Sequence, residues 1–301
     1  MKKVVIVGIS SLVGSNLAVY LRKHYRVCGT YARYMPYIDN VPTFRLILQK
    51  GKPFAEAIMA LKPDAVIYCA GLTDQQLCEK NPIEALYLNS EVPSRIAQIV
   101  TGYNSRFIYI SSSKVFSGER GHYCESDEVD PVGVYGKSKY RAEEALVHYD
   151  NTFILRLGTV FGLGGYRQNS MLNRLLNGLW NGKPTALIND EWRSFISADE
   201  VAKAIGVLID ASHSKAGTYH MGGESKHSYY TFGLSVAGLL GLPTDLLKPV
   251  PGAHFQTAPG LRRGADLSLV SNHFCDIFKH RIPTFEQMLE DIANKLGEGK
   301  Q

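Results

Sequence analysis

The chain has 301 residues, of which 45% are hydrophobic, and its formal net charge is +5 at pH 7. This length allows a large buried core, and no run of about 18 apolar residues that could cross a membrane is present. The dispersed positive charge argues against a nucleic-acid-binding surface and suits an anionic ligand. Five cysteines without close pairs predict reduced thiols. Met1-Lys2-Lys3 leads into a predicted strand and not into a signal peptide with a cleavage site, so we expect a cytoplasmic protein without membrane partners.

The chain opens with a predicted buried strand and a turn that contains glycine. Residues 3–8 are apolar and are followed by a short turn and a helical pattern. The turn has the spacing GxxGxxG, with serine in place of the middle glycine. Such a turn brings a pyrophosphate onto a helix N-terminus. We therefore assign the turn to a dinucleotide cofactor, with a plain βα turn as the alternative, and its candidate ligands are Gly8, Ser10, Ser11, Leu12 and Gly14.

The second predicted strand, 26–31, bears on the choice of cofactor. An acidic residue about 20 positions beyond the glycines of a Rossmann unit binds the ribose 2′-hydroxyl, and no acidic residue stands there. Arg33 follows the strand instead and offers a planar guanidinium for a 2′-phosphate. The pattern favours NADP(H) over NAD(H), and a solvent-exposed arginine is the alternative.

Two further segments carry candidate catalytic groups. The predicted strand 106–111 leads into Ser111-Ser112-Ser113, at the strand end where ligands of α/β sheets bind. A helix cap or turn would explain one serine better than three. Tyr135 and Lys139 are four residues apart, which places both on one helix face. An ammonium beside a phenol favours proton release, so this pair could act as a general acid or base, although one such pair is expected by chance.

Strands and helices alternate along most of the chain. This rhythm predicts an α/β fold, a Rossmann-type doubly wound parallel sheet with a smaller interleaved substrate-binding lobe. We assign 1–161 to the cofactor-binding core, with return segments at about 185–221, and 162–184 and 222–301 to the lobe. From Lys226 onward we expect an irregular segment with short helices. The predicted strands are 3–8, 26–31, 43–48, 64–70, 106–111, 152–158 and 217–221, and the predicted helices include 53–61, 82–100, 135–148, 171–180 and 199–209.

The glycine turn, the serine segment and the Tyr135–Lys139 pair, in this order, resemble the extended short-chain dehydrogenase/reductase family. Ser111-Ser112-Ser113-Lys114-Val115-Phe116-Ser117-Gly118 is similar to the Ser-Thr-Asp-Tyr-Val-Phe-Asp-Gly segment of the sugar-nucleotide reductases. The branch most similar is the dTDP-4-dehydrorhamnose reductase-like branch, which also includes the regulatory subunit of methionine adenosyltransferase. Other matching segments are 62–71, 73–82, 155–162, 217–223 and 282–287.

The resemblance implies roles for individual residues. Ser112, Tyr135 and Lys139 would be catalytic, with Lys139 also binding the nicotinamide ribose. Ala70 and Gly71 would lie in the loop over the cofactor. Asn169, Arg193 and Arg262 would contact the substrate, and the alternative for Arg193 is a structural ion pair with Asp199 or Glu200. The implied activity is NADP(H)-dependent reduction of a 4-keto nucleotide sugar, and a homodimer is compatible with it.

Other functions remain open or are disfavoured. A sugar-nucleotide epimerase would share the catalytic residues but keep a tightly bound NAD, and a regulatory subunit would bind NADP without turnover. A 4,6-dehydratase needs two carboxylates after the catalytic hydroxyl, where Ser113 and Lys114 stand. No Gly-x-Ser-x-Gly elbow of a hydrolase occurs. His273, Cys275, Asp276 and His280 match no standard zinc spacing, and we expect no metal.

Overall fold

A computed structural model describes residues 1–164, 170–255 and 263–298 of the chain. The strands in these ranges are, in chain order, β1 (Lys3–Val7), β2 (Arg26–Tyr31), β3 (Thr43–Arg45), β4 (Ala65–Tyr68), β5 (Arg106–Ser112), β6 (Thr152–Leu157), β7 (Thr159–Phe161), β8 (Thr185–Ile188), β9 (Trp192–Ser197), β10 (Gly217–Met221), β11 (Lys226–Ser228) and β12 (Leu247–Val250).

The α-helices in the same ranges are α1 (Leu12–Leu21), α2 (Phe54–Met59), α3 (Gln75–Lys80), α4 (Pro82–Leu86), α5 (Val92–Gly102), α6 (Val134–Leu146), α7 (Met171–Trp180), α8 (Ala198–Asp210), α9 (Tyr229–Leu239), α10 (Asn272–Phe278) and α11 (Phe285–Glu298). A π-helical turn, Tyr87–Glu91, joins α4 to α5. Short 3₁₀ turns occupy Ser113–Val115, His213–Lys215 and Gly252–Phe255.

Seven parallel strands form the central sheet, in the order β10-β6-β5-β4-β1-β2-β3. The order reverses direction between β1 and β4, and at such a switch point the loops beyond the carboxyl ends diverge and leave a crevice. The strands are apolar and buried on both faces, as a parallel sheet covered by helices requires. The predicted Rossmann-type, doubly wound fold is therefore confirmed.

Two apolar cores cover the two faces of this sheet. On one face, α1 and α8 pack together over Val4, Ile6 and Ile67. On the other, α2, α5 and α6 pack over Val5 and Val7. Alternate residues of β1 point into opposite cores, which is the consequence of the two-residue period of a strand. Because helices pack on both faces of the sheet, the carboxyl ends of β1, β4 and β5 have fixed positions relative to one another.

Two small sheets lie outside the central one. Strands β7, β9 and β11 form the first, and β8 pairs with β12 in the second. Of the predicted return segment 185–221, α8 packs on the central sheet and β10 joins it, whereas β8 and β9 pair with strands outside it. The domain boundaries themselves stay a prediction.

Several element boundaries differ from the sequence-based ones. The third strand ends at Arg45 and not at residue 48, and the helix predicted at 82–100 is interrupted by the π-helical turn. The region after Lys226 contains α9 and α11, of 11 and 14 residues, where we expected short helices. Among the helices of the described ranges, none combines the length and the apolar character needed to cross a bilayer.

Candidate active site

The glycine turn after β1 is closed by the backbone of β4 and by Ser11. Gly8 has a φ of +89°, and a Cβ there would lie 2.6 Å from the amide nitrogen of Ala70. A Cβ on Gly14 would lie 2.5 Å from the carbonyl oxygen of Gly8. The Ser11 hydroxyl donates to that carbonyl at 2.9 Å and accepts from the amide of Gly14 at 3.0 Å. Serine at the middle position therefore caps α1 and tightens the turn, where glycine could do neither.

The first turn of α1 presents amides that fit a pyrophosphate. Within the described ranges, the backbone N–H groups of Leu12 and Val13 have no hydrogen-bond acceptor. Such groups at a helix N-terminus carry the positive end of the helix dipole and bind phosphate oxygens. The residues present at the turn thus suit a dinucleotide cofactor.

Two arginines lie at the carboxyl ends of β2 and β3. Arg33 follows β2 by two residues and is exposed. Arg45, which ends β3 opposite Tyr31, donates from Nε to the carbonyl oxygen of Ala32 at 3.1 Å. No acidic residue that could bind a ribose hydroxyl lies at the end of β2, where these two arginines stand. Arg45 was not among the predicted cofactor ligands, because its proximity to Arg33 depends on the pairing of β3 with β2.

The loop over the cofactor turn is held by Asn89. The Asn89 side chain is fully buried, accepts from the Leu72 amide and donates to the Leu72 carbonyl, both at 2.9 Å. A Cβ on Gly71, whose φ is +148°, would lie 2.4 Å from Asn89 Oδ1. Asn89 also donates to the hydroxyl of Ser138 on α6 at 2.9 Å. One amide therefore connects this loop to the helix that carries Tyr135.

The position of Asn89 depends on the π-helical turn. In this turn the carbonyls of Leu88 and Asn89 accept hydrogen bonds of 2.6 Å from the hydroxyls of Tyr68 and Tyr109. Tyr68 ends β4, and Tyr109 lies in the middle of β5. The two hydrogen bonds therefore fix the turn to the central sheet. π-Helical turns are rare and occur frequently at functional sites.

Tyr135 lies close to Ser112. Burial raises the pKa of Tyr135 to about 12, and a hydrogen bond from Ser112 partly opposes this rise. Ser112 ends β5, and its hydroxyl also accepts from the amide of Lys114 at 3.2 Å. The phenol is therefore protonated at neutral pH, and the serine hydroxyl lies beside it.

Lys139 lies one helical turn beyond Tyr135, deep in the structure. Its ammonium donates to the carbonyl of Ile110 at 2.8 Å and is 5.9 Å from the centre of the Tyr135 ring. Burial lowers the pKa of Lys139 to about 8. The predicted residues Ser112, Tyr135 and Lys139 are thus brought together by β5 and α6.

A buried ionic network that sequence analysis did not identify supports these residues. Glu143, one turn beyond Lys139, forms an ion pair of 2.7 Å with Arg156 of β6 and accepts from Ser111 at 2.5 Å. Arg156 approaches His220 of β10 at 3.4 Å. Burial, reinforced by Arg156, lowers the pKa of His220 to about 3. The network spans three adjacent strands, so no local sequence signal reveals it.

A second buried ionic cluster contains Arg193. The Arg193 side chain is 1% exposed and pairs with Glu191 at 2.6 Å. Arg263 binds the same carboxylate through Nε and, at 3.0 Å, through Nη2. Within the described residues the buried Nε of Arg193 has no hydrogen-bond partner. Arg193 does not pair with Asp199 or Glu200, which bind Lys295 and His280 respectively.

Lys114 lies between this cluster and Tyr135. Lys114 and Tyr135 both line a small cavity, whose other walls include Gly264 and Glu79. A Cβ on Gly264 would lie 2.6 Å from the carbonyl of Ser117, so glycine allows the segment after Arg263 to approach the Lys114 turn. The Lys114 turn therefore lies next to both Tyr135 and the segment that follows Arg263.

The remaining predicted positions are placed as follows. Asn169 and Arg262 lie outside the described residues. Of the candidates discounted for metal binding, His280 pairs with Glu200 at 2.5 Å and His273 stacks on Tyr219 at 5.3 Å. Within the described ranges, no group of three or more His, Cys, Asp or Glu side chains could hold a metal ion.

Comparison with known proteins agrees with this arrangement. Residues 1–298 match the family model described as the RmlD substrate binding domain. The chain belongs to this family. The resemblance to the extended short-chain dehydrogenases/reductases and to their dTDP-4-dehydrorhamnose reductase-like branch is thereby confirmed.

Three similar proteins illustrate the range of the family. The probable low-salt glycan biosynthesis reductase Agl14 of Haloferax volcanii is 29% identical over 81% of this chain and 82% of its own. The methionine adenosyltransferase 2 subunit beta of Bos taurus is 24% identical over 83% and 75%. The structure of a hypothetical dTDP-4-dehydrorhamnose reductase from Sulfolobus tokodaii has a TM-score of 0.80 at 26% identity, over 94% of this chain and 97% of its own.

Proposed function

We propose that the protein reduces the keto group of a 4-keto nucleotide sugar with NADPH. Its enzyme class is NAD(P)-dependent oxidoreductase acting on a CH–OH or C=O group, the class of the reductases in its family. One observation carries the finer assignment. Tyr135, close to Ser112, shares a cavity with Lys114, and Lys114 lies near two arginines that share a single carboxylate. A proton donor for the keto oxygen and a cationic site for phosphate groups therefore lie close together.

The residues of the turn, and not a metal, would hold the cofactor. Leu12 and Val13 would bind its pyrophosphate through their amides, Arg33 its 2′-phosphate, and Lys139 its ribose. Gly8, Ser10, Ser11 and Gly14 would shape the turn, and Ala70 and Gly71 the loop over it. Bound NADPH supplies the hydride for the keto carbon.

The protein groups would handle the proton and the developing charge. The phenol of Tyr135 is protonated at neutral pH, because its pKa is about 12, and donates its proton from Oη to the alkoxide. Ser112 donates a hydrogen bond to the same oxygen and stabilises its charge. The ammonium of Lys139 stabilises the phenolate that remains.

Two alternatives within the family predict different behaviour. A sugar-nucleotide epimerase would use the same Tyr135 and Ser112 but retain NAD through purification. A regulatory subunit, as the similarity to methionine adenosyltransferase 2 subunit beta suggests, would bind the cofactor and a partner protein without turnover. Mass spectrometry of the dinucleotide that co-purifies separates the first alternative from the proposal.

The substrate class is tested by titration of dTDP-, UDP-, GDP- and CDP-sugars into the protein saturated with NADPH. We expect at least one series to bind, and Arg193→Ala and Arg262→Ala each to weaken that binding with little change in NADPH affinity. Arg263→Ala should act in the same direction. Arg141→Ala, on the exposed face of α6, is the matched control. Binding of none of the four series, together with capture of a partner protein, would move the assignment to the regulatory class.

A further inference from the structure

Lys114 has a cationic side chain that no described residue neutralises. It stands in the 3₁₀ turn Ser113–Val115, directly after Ser112, and is half-buried. Lys114 lines the cavity that also contains Tyr135, and within the described ranges its ammonium has no hydrogen bond or ion pair. A buried cation without a directly paired anion is a candidate ligand for an anionic group of a bound molecule.

The charges that act most on Lys114 are two positive and one negative. Arg193 and Arg263 lie close to Lys114, and Glu191 is the carboxylate shared by the two arginines. The other nearby carboxylates are Glu79, in the cavity wall, and Asp190, near Arg263. The orphaned Nε of Arg193 is a second, independent sign of a missing acceptor, since the side chain is 1% exposed.

The backbone fixes Lys114 next to the acid. A Cβ on Gly136 would lie 2.1 Å from the carbonyl oxygen of Lys114, so α6 and the Lys114 turn are in direct backbone contact. Gly136 follows Tyr135 immediately. An anion bound by Lys114 would therefore lie close to the carbon whose oxygen Tyr135 protonates.

We propose that Lys114 binds an anionic oxygen group of the substrate beside the reacting carbon. This inference rests on the proposed function. Two groups have the required chemistry. One is the phosphate nearest the sugar, present in every nucleotide sugar, and the other is a carboxylate on the sugar, as in a uronate.

The protonation of Lys114 gives the site a pH dependence near neutrality. Burial and the nearby arginines lower the pKa of Lys114 to about 7, and Glu191 opposes this effect. Glu79 is the carboxylate in the wall of the cavity, where it accepts from the amide of Val134. A bound anion favours the charged ammonium, so ligand affinity should decrease as the pH rises above about 7.

The test compares Lys114→Met with Lys23→Met, which removes the same charge from an exposed residue just beyond α1. Calorimetry with UDP, UDP-glucose and UDP-glucuronate, and with the corresponding dTDP compounds, is performed at saturating NADP⁺. An unchanged affinity for NADP⁺ shows that each variant is folded. We expect Lys114→Met to weaken binding about 10-fold or more, and Lys114→Arg to restore most of it.

The pattern of losses identifies the group. An equal loss for UDP-glucose and UDP-glucuronate assigns Lys114 to a phosphate, and a loss confined to UDP-glucuronate assigns it to the carboxylate. Affinities within twofold of the wild type for every ligand would overturn the inference while leaving the proposed function intact. Failure of the wild type to bind any nucleotide would overturn both, and is seen before any variant is measured.

Discussion

Asn89 and Ser138 are joined by a buried hydrogen bond of 2.9 Å between Asn89 Nδ2 and Ser138 Oγ. The same amide binds both backbone groups of Leu72, next to Gly71. Ser138 in turn donates to the carbonyl of Tyr135 at 2.8 Å. The Asn89 side chain thus fixes the loop that contains Gly71 relative to α6, the helix that carries Tyr135.

Replacement of Asn89 by leucine, of similar size, should affect stability and cofactor binding together. It leaves the amide of Leu72 unpaired and the carbonyl of Leu72 with only the weak Cys78 thiol donor at 3.3 Å. A buried polar group that cannot reach water costs about 1–3 kcal/mol. We expect a lower free energy of unfolding in urea and a weaker affinity for NADPH. Ser138→Ala removes the hydroxyl that accepts from Asn89 and donates to the Tyr135 carbonyl, and should cost about 1 kcal/mol. Equal stability of Asn89→Leu and the wild type would contradict this account of the loop.

The preference for NADPH is expected to depend on Arg33. Arg33→Ala should bind NADPH more weakly than the wild type and bind NADH equally well, because only NADPH carries the 2′-phosphate. Arg45, at the end of the neighbouring strand, should contribute a smaller part. Arg26→Ala is the control, since Arg26 is exposed at the opposite end of β2. Calorimetry that gives equal affinities of the wild type for NADPH and NADH would rule out the 2′-phosphate assignment.

His220 should make the stability sensitive to acid. Its pKa is lowered to about 3 from an ordinary value of 6.5, since burial and Arg156 disfavour the imidazolium. Between these values the unfolded chain binds a proton that the native protein does not. The free energy of unfolding therefore falls as the pH decreases from about 6.5 toward 3, by up to ~1.4 kcal/mol per pH unit.

The contribution of His220 is isolated by comparison of variants. Urea denaturation at several pH values between 4 and 7 should give a shallower slope for His220→Gln than for the wild type. His24→Gln alters an exposed histidine and should keep the wild-type slope. Carboxylates contribute equally to all three proteins and cancel in the difference. Identical slopes for His220→Gln and the wild type would show that the imidazole does not stay neutral on folding.

Glu191 should be needed for stability because the buried Arg193 and the half-buried Arg263 share it. Glu191→Ala leaves Arg193 and Arg263 without their counter-ion, and we expect a loss of about 3 kcal/mol in the free energy of unfolding. A nucleoside diphosphate should raise the melting temperature of this variant more than that of the wild type, because phosphate can replace the carboxylate. Glu119→Ala, at an exposed position, is the control. An unchanged melting temperature of Glu191→Ala would contradict the role of the shared carboxylate.

The fold and the proximity of Tyr135 to Lys139 could be predicted because their signals are local. The apolar strand of residues 3–8 and the spacing of Gly8, Ser11 and Gly14 are contained in one short segment. Tyr135 and Lys139 are related by a single helical turn, whose geometry the sequence specifies. These relationships do not depend on how distant parts of the chain meet.

The ionic clusters could not be predicted because their members are distant in sequence. Glu191 and Arg263 are 72 residues apart, and Glu143 pairs with Arg156 through the packing of α6 on β6. Lys114 was noticed only as a residue that a dehydratase would not have, although it follows Ser112 by two positions. Its proximity to the arginines arises from the glycine contact between Gly264 and the Ser117 carbonyl. The sequence shows the members of such a cluster but does not show which of them are in contact.

The central claim is that Tyr135 protonates the product of a reduction by NADPH. The most direct measurement is the rate of NADPH oxidation with dTDP-4-keto-6-deoxy sugars and their UDP counterparts, for the wild type and for Tyr135→Phe. The account predicts turnover by the wild type, a decrease of about 10²–10⁴-fold in kcat for Tyr135→Phe, and an unchanged affinity for NADPH. Full activity of Tyr135→Phe, or tight NADPH binding by a wild type that oxidises it with none of these sugars, would contradict it.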